Sequence, residues 1–494
     1  MTERPLDARP GDSELLEPER NEQLRRVDWR FLLHRQEPPR VIDLAPGPDS
    51  EALRLVSEPA GPGEADLVLA GFPSRAMVRL AIDALAPGGE VVCRWWVPRV
   101  ASPQRATRRL RRAGFVGVRT YWPGPQPNRL PHFWLPLESR EAVAHMLADR
   151  PARSPAGTGL RRLWRCAARF GYLAPVYVIA RLPEDGAEGA KERLPMLLTG
   201  GHRSINKVVA LEFEPGRLRP SGVTKFARVA EAEVGVECEA AVLARLAEER
   251  PGVEGVPAFR ERVRRCGREG VAEGALEGDS LLERLTPKSL PELARRVTDL
   301  LIDLAGDGAE GTNQRTTLEE HLRFFEERFG PVLDEDQLAS LRAASAAVAG
   351  LPVVWEHRDC SPWNVILANR DRPALLDWES AEPQGLPGLD LVYFLANAAF
   401  VLDKALEKGT TRDAYRRLLD PSTPYGAVAA AEGARYCDAL GLDPGLCPSL
   451  RQLCWMVHCR SDYEHLRLAA AGEPALEDLR NAPFLGLLLE ELRQ

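Results

Sequence analysis

Apolar positions along this chain fall into short runs separated by amphipathic stretches, and the character of both changes twice. Arg40–Leu44, Ala65–Ala70, Glu90–Cys93 and Val116–Tyr121 predict strands, with helical spacing over Ser74–Leu85 and Pro103–Ala113 between them. Strands alternating with helices in this way predict an α/β layer. Beyond residue 193, Met196–Leu198, Lys207–Leu211 and Gly222–Ala227 read as successive strands, Ala232–Glu248 as a helix, and Val271–Gly278 as a strand passing into a connector. Residues 279–350 then read as helices (Ser280–Leu285, Pro291–Leu304, Thr317–Phe329, Asp336–Ala349), with a Gly/Asp-rich loop over Asp303–Thr316. An apolar helix from Leu391 to Leu406, which Asp390 is placed to N-cap, opens a mostly helical tail.

The stretch 353–380, VVWEHRDCSPWNVILANRDRPALLDWES, interrupts the helices with strand character. Val365–Leu367 and Ala374–Leu376 predict a hairpin around the turn formers Asn369–Pro373. Pairing Val365 with Leu376 sets Asn364 opposite Asp377, where Cβ atoms of directly opposed residues are roughly 4.5–5.5 Å apart. The hairpin so collects Asp359, Asn364 and Asp377 at one open end, an arrangement that suits a cation and a phosphate.

Composition places the chain among ordinary globular proteins: 494 residues, 44% hydrophobic and 28% charged, enough for two or three cores. The net charge of −7 is unevenly spread, because residues 1–185 hold 28 Arg, no Lys and 22 acids, for +6, leaving −13 elsewhere. That balance argues against nucleic acid as a bulk partner and leaves room for a protein partner at the N-terminal domain. Nine cysteines form no C-x-x-C pair, which predicts reduced thiols. The polar start and the absence of a span-length apolar run predict a cytoplasmic protein with no membrane contact.

Two lysine and acid signals stand out upstream. Lys225 lies among strand apolars, and Glu239 shares the apolar face of the next helix with Leu243 and Leu246. They read either as mutual partners or as two snorkelling surface charges. Gly200 and Gly201 sit in a loop between strands that could lay amides over phosphates or simply turn the chain.

Taken together, His357-Arg358-Asp359, Asn364, and Leu376-Asp377-Trp378-Glu379 with the later Asp390-Leu391 resemble the aminoglycoside phosphotransferase and choline kinase-like family, over about residues 195–470. Arg358 departs from that family's glycine and matches the protein-kinase form. The resemblance implies a two-lobed protein-kinase-like fold, with a β-rich lobe at 194–276 and a helical lobe at 277–494. It implies ATP and Mg²⁺ as cofactors, Asp359 as the catalytic carboxylate that takes the acceptor's proton, and Asn364 and Asp377 as metal ligands. Lys225, oriented by Glu239, would meet the α/β-phosphates, Gly200 and Gly201 would cover them, and the backbone about Glu273 and Ala275 would meet adenine. His357 would position the loop, Arg358 would brace its acids, and Glu379 would either join the metal shell or cap local backbone.

Over about residues 28–180, VIDLAPG, ADLVLAGF and LAPGGEVV followed by RRAGFVGVRTY resemble class I S-adenosylmethionine-dependent methyltransferases. The loop Asp43–Pro48 keeps one glycine beside prolines, and two strands of that fold are missing. The expected architecture is therefore a tail (1–22), a truncated Rossmann-like α/β domain (23–182), a linker (183–193) and the kinase-like α+β pair of lobes. The expected function is transfer of the ATP γ-phosphate to a hydroxyl of a small-molecule acceptor of aminoglycoside, sugar or amino-alcohol type. The alternatives are a nucleotide-binding pseudokinase without transfer and, further off, a methyltransferase.

Overall fold

A computed structural model of the chain describes residues 22–95, 103–124, 130–148, 176–184, 194–200, 207–306, 314–368, 371–470 and 472–493. The tail 1–21 and most of the expected linker, 185–193, lie outside the described residues. The chain divides into two compact units, residues 1–240 with 259–275, and residues 241–258 with 276–494.

The first unit is built on one sheet of twelve strands. These are β1 (Arg40–Asp43), β2 (Glu58–Pro59), β3 (Ala65–Ala70), β4 (Leu85–Trp95), β5 (Val116–Gly124), β6 (Phe133–Pro136), β7 (Val176–Arg181), β8 (Met196–Leu198), β9 (Lys207–Glu212), β10 (Gly222–Ala227), β11 (Phe259–Arg265) and β12 (Arg268–Gly274). Their order is β11-β12-β10-β9-β8-β6-β5-β7-β4-β3-β1-β2. β1 to β4 pair in parallel, and β7 runs antiparallel between β4 and β5. β3 is buried at every position, as a strand covered on both faces must be, and its six residues are apolar but for Asp66. Ser74 opens the helix Arg75–Ala84 by accepting a hydrogen bond from the Met77 amide at 3.1 Å.

Hydrogen bonding does not break at the expected linker. β6 pairs with β8, Phe133 with Leu198 and Trp134 with Leu197, so the N-terminal layer continues into the strands that carry Lys225. One buried cluster holds Trp29, Phe31, Leu67, Trp134, Val208 and Phe226 together. Under it, Asp28 pairs with Arg228 at 3.0 Å and with Arg30 at 3.4 Å, all three fully buried. The Arg228 guanidinium also donates to the carbonyls of Thr199 and Lys207, and Arg30 donates to the carbonyl of Arg228. Buried charges are costly unless they are paired and hydrogen-bonded in this way.

The second unit is mainly helical, with Leu290–Ala305, Gln314–Phe329, Glu335–Val348, Leu389–Asp403, Thr411–Leu419, Pro424–Leu440, Cys447–Ala470 and Pro483–Glu491 as its longer helices. Leu389–Asp403 is apolar nearly all round and is buried accordingly. Small sheets carry the polar loops: β13 (Asp279–Ser280), β15 (Val365–Ala368) and β16 (Arg372–Leu375) form one, β14 (Val354–Glu356) and β17 (Glu382–Gly385) the other. No helix among the described residues is long and apolar enough to cross a membrane.

Candidate active site

The residues singled out in the sequence fall into two groups, one in each unit. In the first unit the β10 register places Lys225 opposite Val209 on β9 and Val271 on β12, so side chains two residues away share its face. Lys225 Nζ lies 2.5 Å from Glu239 Oε1 and 3.1 Å from Glu273 Oε1. Lys207 Nζ, from the start of β9, stands 3.6 Å from Glu239 Oε2. Two lysines and two carboxylates thus neutralise each other in a nearly dry setting, with Glu239 fully buried. Lys207 and the Glu273 side chain are additions to the expected set. Alternation from Lys225 across the ladder to Val271 and Glu273, and to Val209 and Lys207, is the signal that points to both.

The glycine loop contributes less than expected among the described residues. The Gly200 amide is given to the carbonyl of His132 at 3.0 Å, and Gly201 lies outside the described residues. Ala275 likewise donates its amide to Ser221 O, at 3.4 Å, and Glu273 acts through its carboxylate beside Lys225.

In the second unit the loop between β14 and β15 is fixed at several points. Asp390 accepts the amides of His357 at 2.6 Å and Arg358 at 2.8 Å. This corrects its expected role, since the helix it begins is N-capped by Gly388, at φ 86°. His357 is fully buried; its Nδ1 accepts the Asp359 amide at 3.2 Å, so Nε2 carries the proton and donates to Leu376 O at 3.0 Å. Its ring meets Trp378 edge to face. Arg358 occupies the left-handed region at φ 63°, where a glycine costs least, and its guanidinium reaches Glu356 at 3.3 Å and Glu382 at 3.8 Å. It therefore braces the two-stranded β14–β17 sheet.

The hairpin register differs by one from the sequence expectation. Val365 pairs with Leu375 and Ile366 with Ala374, and the Leu376 amide donates to Asn364 O at 2.8 Å. Asn364 thus faces Leu376, and Asp377 follows in a left-handed conformation, φ 68°, that turns the chain into the short 3-10 helix Trp378–Ser380. Asn364 Nδ2 donates to Asp359 Oδ2 at 2.7 Å and to Asp359 O at 3.0 Å, leaving its carboxamide oxygen as the group able to face a cation. Burial, and then the nearby Asp377 charge, push the Asp359 carboxyl up to about 7. The Asn364 carboxamide oxygen and the Asp377 carboxylate are hard oxygen donors of the kind that would suit Mg²⁺, which takes few protein oxygens and keeps waters or phosphate oxygens for the rest. No group of three or more His, Cys, Asp or Glu placed to hold a metal occurs among the described residues.

The loop that follows β1 is packed against Arg94. Arg94 NH1 lies 2.6 Å from Asp49, its NH2 donates to Ala45 O at 2.9 Å, and a Cβ at Gly47 would stand 2.7 Å from that nitrogen. Tyr177 adds its hydroxyl to Asp49 at 2.8 Å.

Comparison with curated proteins finds no match. Among solved structures, the chain is similar to a thermostable mutant of aminoglycoside phosphotransferase APH(4)-Ia (15% identity, TM-score 0.39, covering 61% of this chain and 94% of that one). It is also similar to aminoglycoside phosphotransferase APH(3'')-Id from Streptomyces rimosus in complex with ADP and streptomycin (15%, 0.34, 55% and 90%). A GDP complex of an aminoglycoside 2'-phosphotransferase-IIIa mutant matches at 17% identity, TM-score 0.36, over 62% and 92%. The family model described as the phosphotransferase enzyme family matches residues 202–423, a stretch that includes Lys225, Glu239, Asp359, Asn364 and Asp377.

Proposed function

We propose that this chain transfers the γ-phosphate of ATP, as its Mg²⁺ complex, to a hydroxyl of a small molecule of aminoglycoside, sugar or amino-alcohol type. The observation that carries the reading is the Asp359–Asn364 contact beside Asp377, in a loop whose backbone Asp390 holds from behind. Phosphoryl transfer asks a protein for positioning and charge neutralisation more than for covalent chemistry. Lys225, held by Glu239 and Glu273, supplies the cation for the α/β-phosphates. Asn364 and Asp377 would hold the metal ion, which when bound neutralises charge on the phosphate oxygens. Asp359 accepts a hydrogen bond from the acceptor hydroxyl and takes its proton as the new bond forms. Only the ionised carboxylate can do this, so turnover should rise with pH through the region of the Asp359 pKa, and a bound cation should move that rise to lower pH.

The reading of the N-terminal layer as scaffold is supported by Arg94 standing where a cofactor would need backbone, which counts against a methyltransferase. The test of the main proposal compares wild type with Asp359→Asn on labelled ATP and a panel of aminoglycosides, sugars and amino alcohols. Wild type should label at least one acceptor, and the variant should lose about 10²- to 10⁴-fold in kcat. Equal labelling by both would remove Asp359 from the reaction. Nucleotide binding with no turnover on any acceptor would favour the pseudokinase.

A further inference from the structure

Outside the phosphotransfer groups, two of the described cysteines touch. Cys437 Sγ and Cys447 Sγ are 3.6 Å apart. Cys437 lies in the last turn of the helix Pro424–Leu440, is 3% exposed, and has its carbonyl fixed by the Leu442 amide at 2.8 Å. Cys447 is partly exposed and opens the 24-residue helix Cys447–Ala470. Both residues line an apolar cavity of about 280 Å³.

We propose that Cys437 and Cys447 form a redox-active dithiol, in which Cys447 reacts with a hydroperoxide and Cys437 resolves the product to an intramolecular disulfide. The roles follow from position. Cys447 is the sulfur a small oxidant can reach, and it sits at the positive end of a long helix with Arg451 one turn on. Contact with the Cys437 sulfur and the charge of Arg451 hold the Cys447 thiol below its ordinary value, while the same contact and burial push Cys437 up. The Cys447 thiolate attacks one peroxide oxygen, the O–O bond breaks, and the leaving alkoxide (hydroxide, from hydrogen peroxide) takes a proton from solvent and departs as an alcohol or water. Sulfur is oxidised by two electrons to the sulfenic acid as the peroxide is reduced. Cys437 sulfur then attacks Cys447 sulfur, the S–O bond breaks, and the hydroxyl departs as water with the Cys437 proton. The product is uncharged, which suits the apolar cavity wall, and it ties the end of one helix to the start of the next.

The test treats the reduced full-length protein with hydrogen peroxide at pH 7 and maps it without reductant. A disulfide joining the Cys437 and Cys447 peptides, reversed by dithiothreitol, is expected. Cys437→Ser should stop at a Cys447 sulfenic acid that a cyclic dione traps, and Cys447→Ser should leave Cys437 unoxidised. In the wild type, alkylation of Cys447 should rise less than about twofold from pH 7 to pH 8, against about tenfold for an ordinary thiol. Oxidised Cys447 with no link to Cys437 in the wild type, equal oxidation of Cys437 in Cys447→Ser, or a tenfold pH dependence would each overturn the proposal.

Discussion

At Asp359, burial and the neighbouring Asp377 carboxylate act in the same direction, against ionisation. Between its ordinary value and about 7 the folded chain holds this proton more firmly than the unfolded chain. Stability without a cation should therefore fall as pH rises through that window. Asp359→Asn keeps the shape and removes the charge. The metal-free variant should melt a few degrees above wild type at pH 8 and level with it near pH 4, by differential scanning fluorimetry. A variant less stable than wild type at pH 8 would mean that the carboxylate is worth more to the fold than its repulsion with Asp377. Excess Mg-ATP should narrow the gap, because ligand bound to the folded state alone adds to its stability.

Between elements, the join that matters most is Asp390, which lies in the first turn of an apolar helix and binds two amides of the loop that presents Asp359. Asp390→Ala leaves both amides buried without acceptors, so kcat should fall by about 10²-fold while the KM for ATP stays within about threefold, read by steady-state kinetics. A rise in KM alone would mean that Asp390 serves nucleotide binding instead. The role of Asp390 was not legible in the sequence, since a local pattern marks it as a cap and its true partners lie 32 and 33 residues upstream. The strands themselves were legible: Gly222–Ala227 and Ala65–Ala70 have the expected bounds. The hairpin register was not. Arg372 and Pro373 read as turn residues, yet both lie in β16, an edge strand where a proline without an N–H is tolerated. β11 was missed for a related reason, because FRERVRR places charges at positions where a buried strand would carry apolar side chains. Lys207 and Glu273 join Lys225 through cross-strand neighbours, which no local window contains.

In the molecule as a whole, the sheet that carries Lys225 continues without interruption into the N-terminal layer. A chain starting at residue 194 would lose the β6 partner of β8, the Trp29 and Phe31 packing, and the Asp28 carboxylate that neutralises Arg228. It should be insoluble or show no cooperative melting, and Asp28→Asn in the full chain should cost about 3–5 kcal/mol, the penalty for leaving a buried charge unpaired. A soluble fragment with a cooperative transition would show that the lobe stands alone. The same continuity leaves this large sheet with only two free edges among the described residues, β11 and β2. β2 is two residues long and ends in Pro59, which has no N–H to offer. β11 carries four arginines and a glutamate in seven positions, so a second strand laid along it would have to bury or crowd those charges. Neither edge is a template on which copies of this chain could stack into an extended sheet.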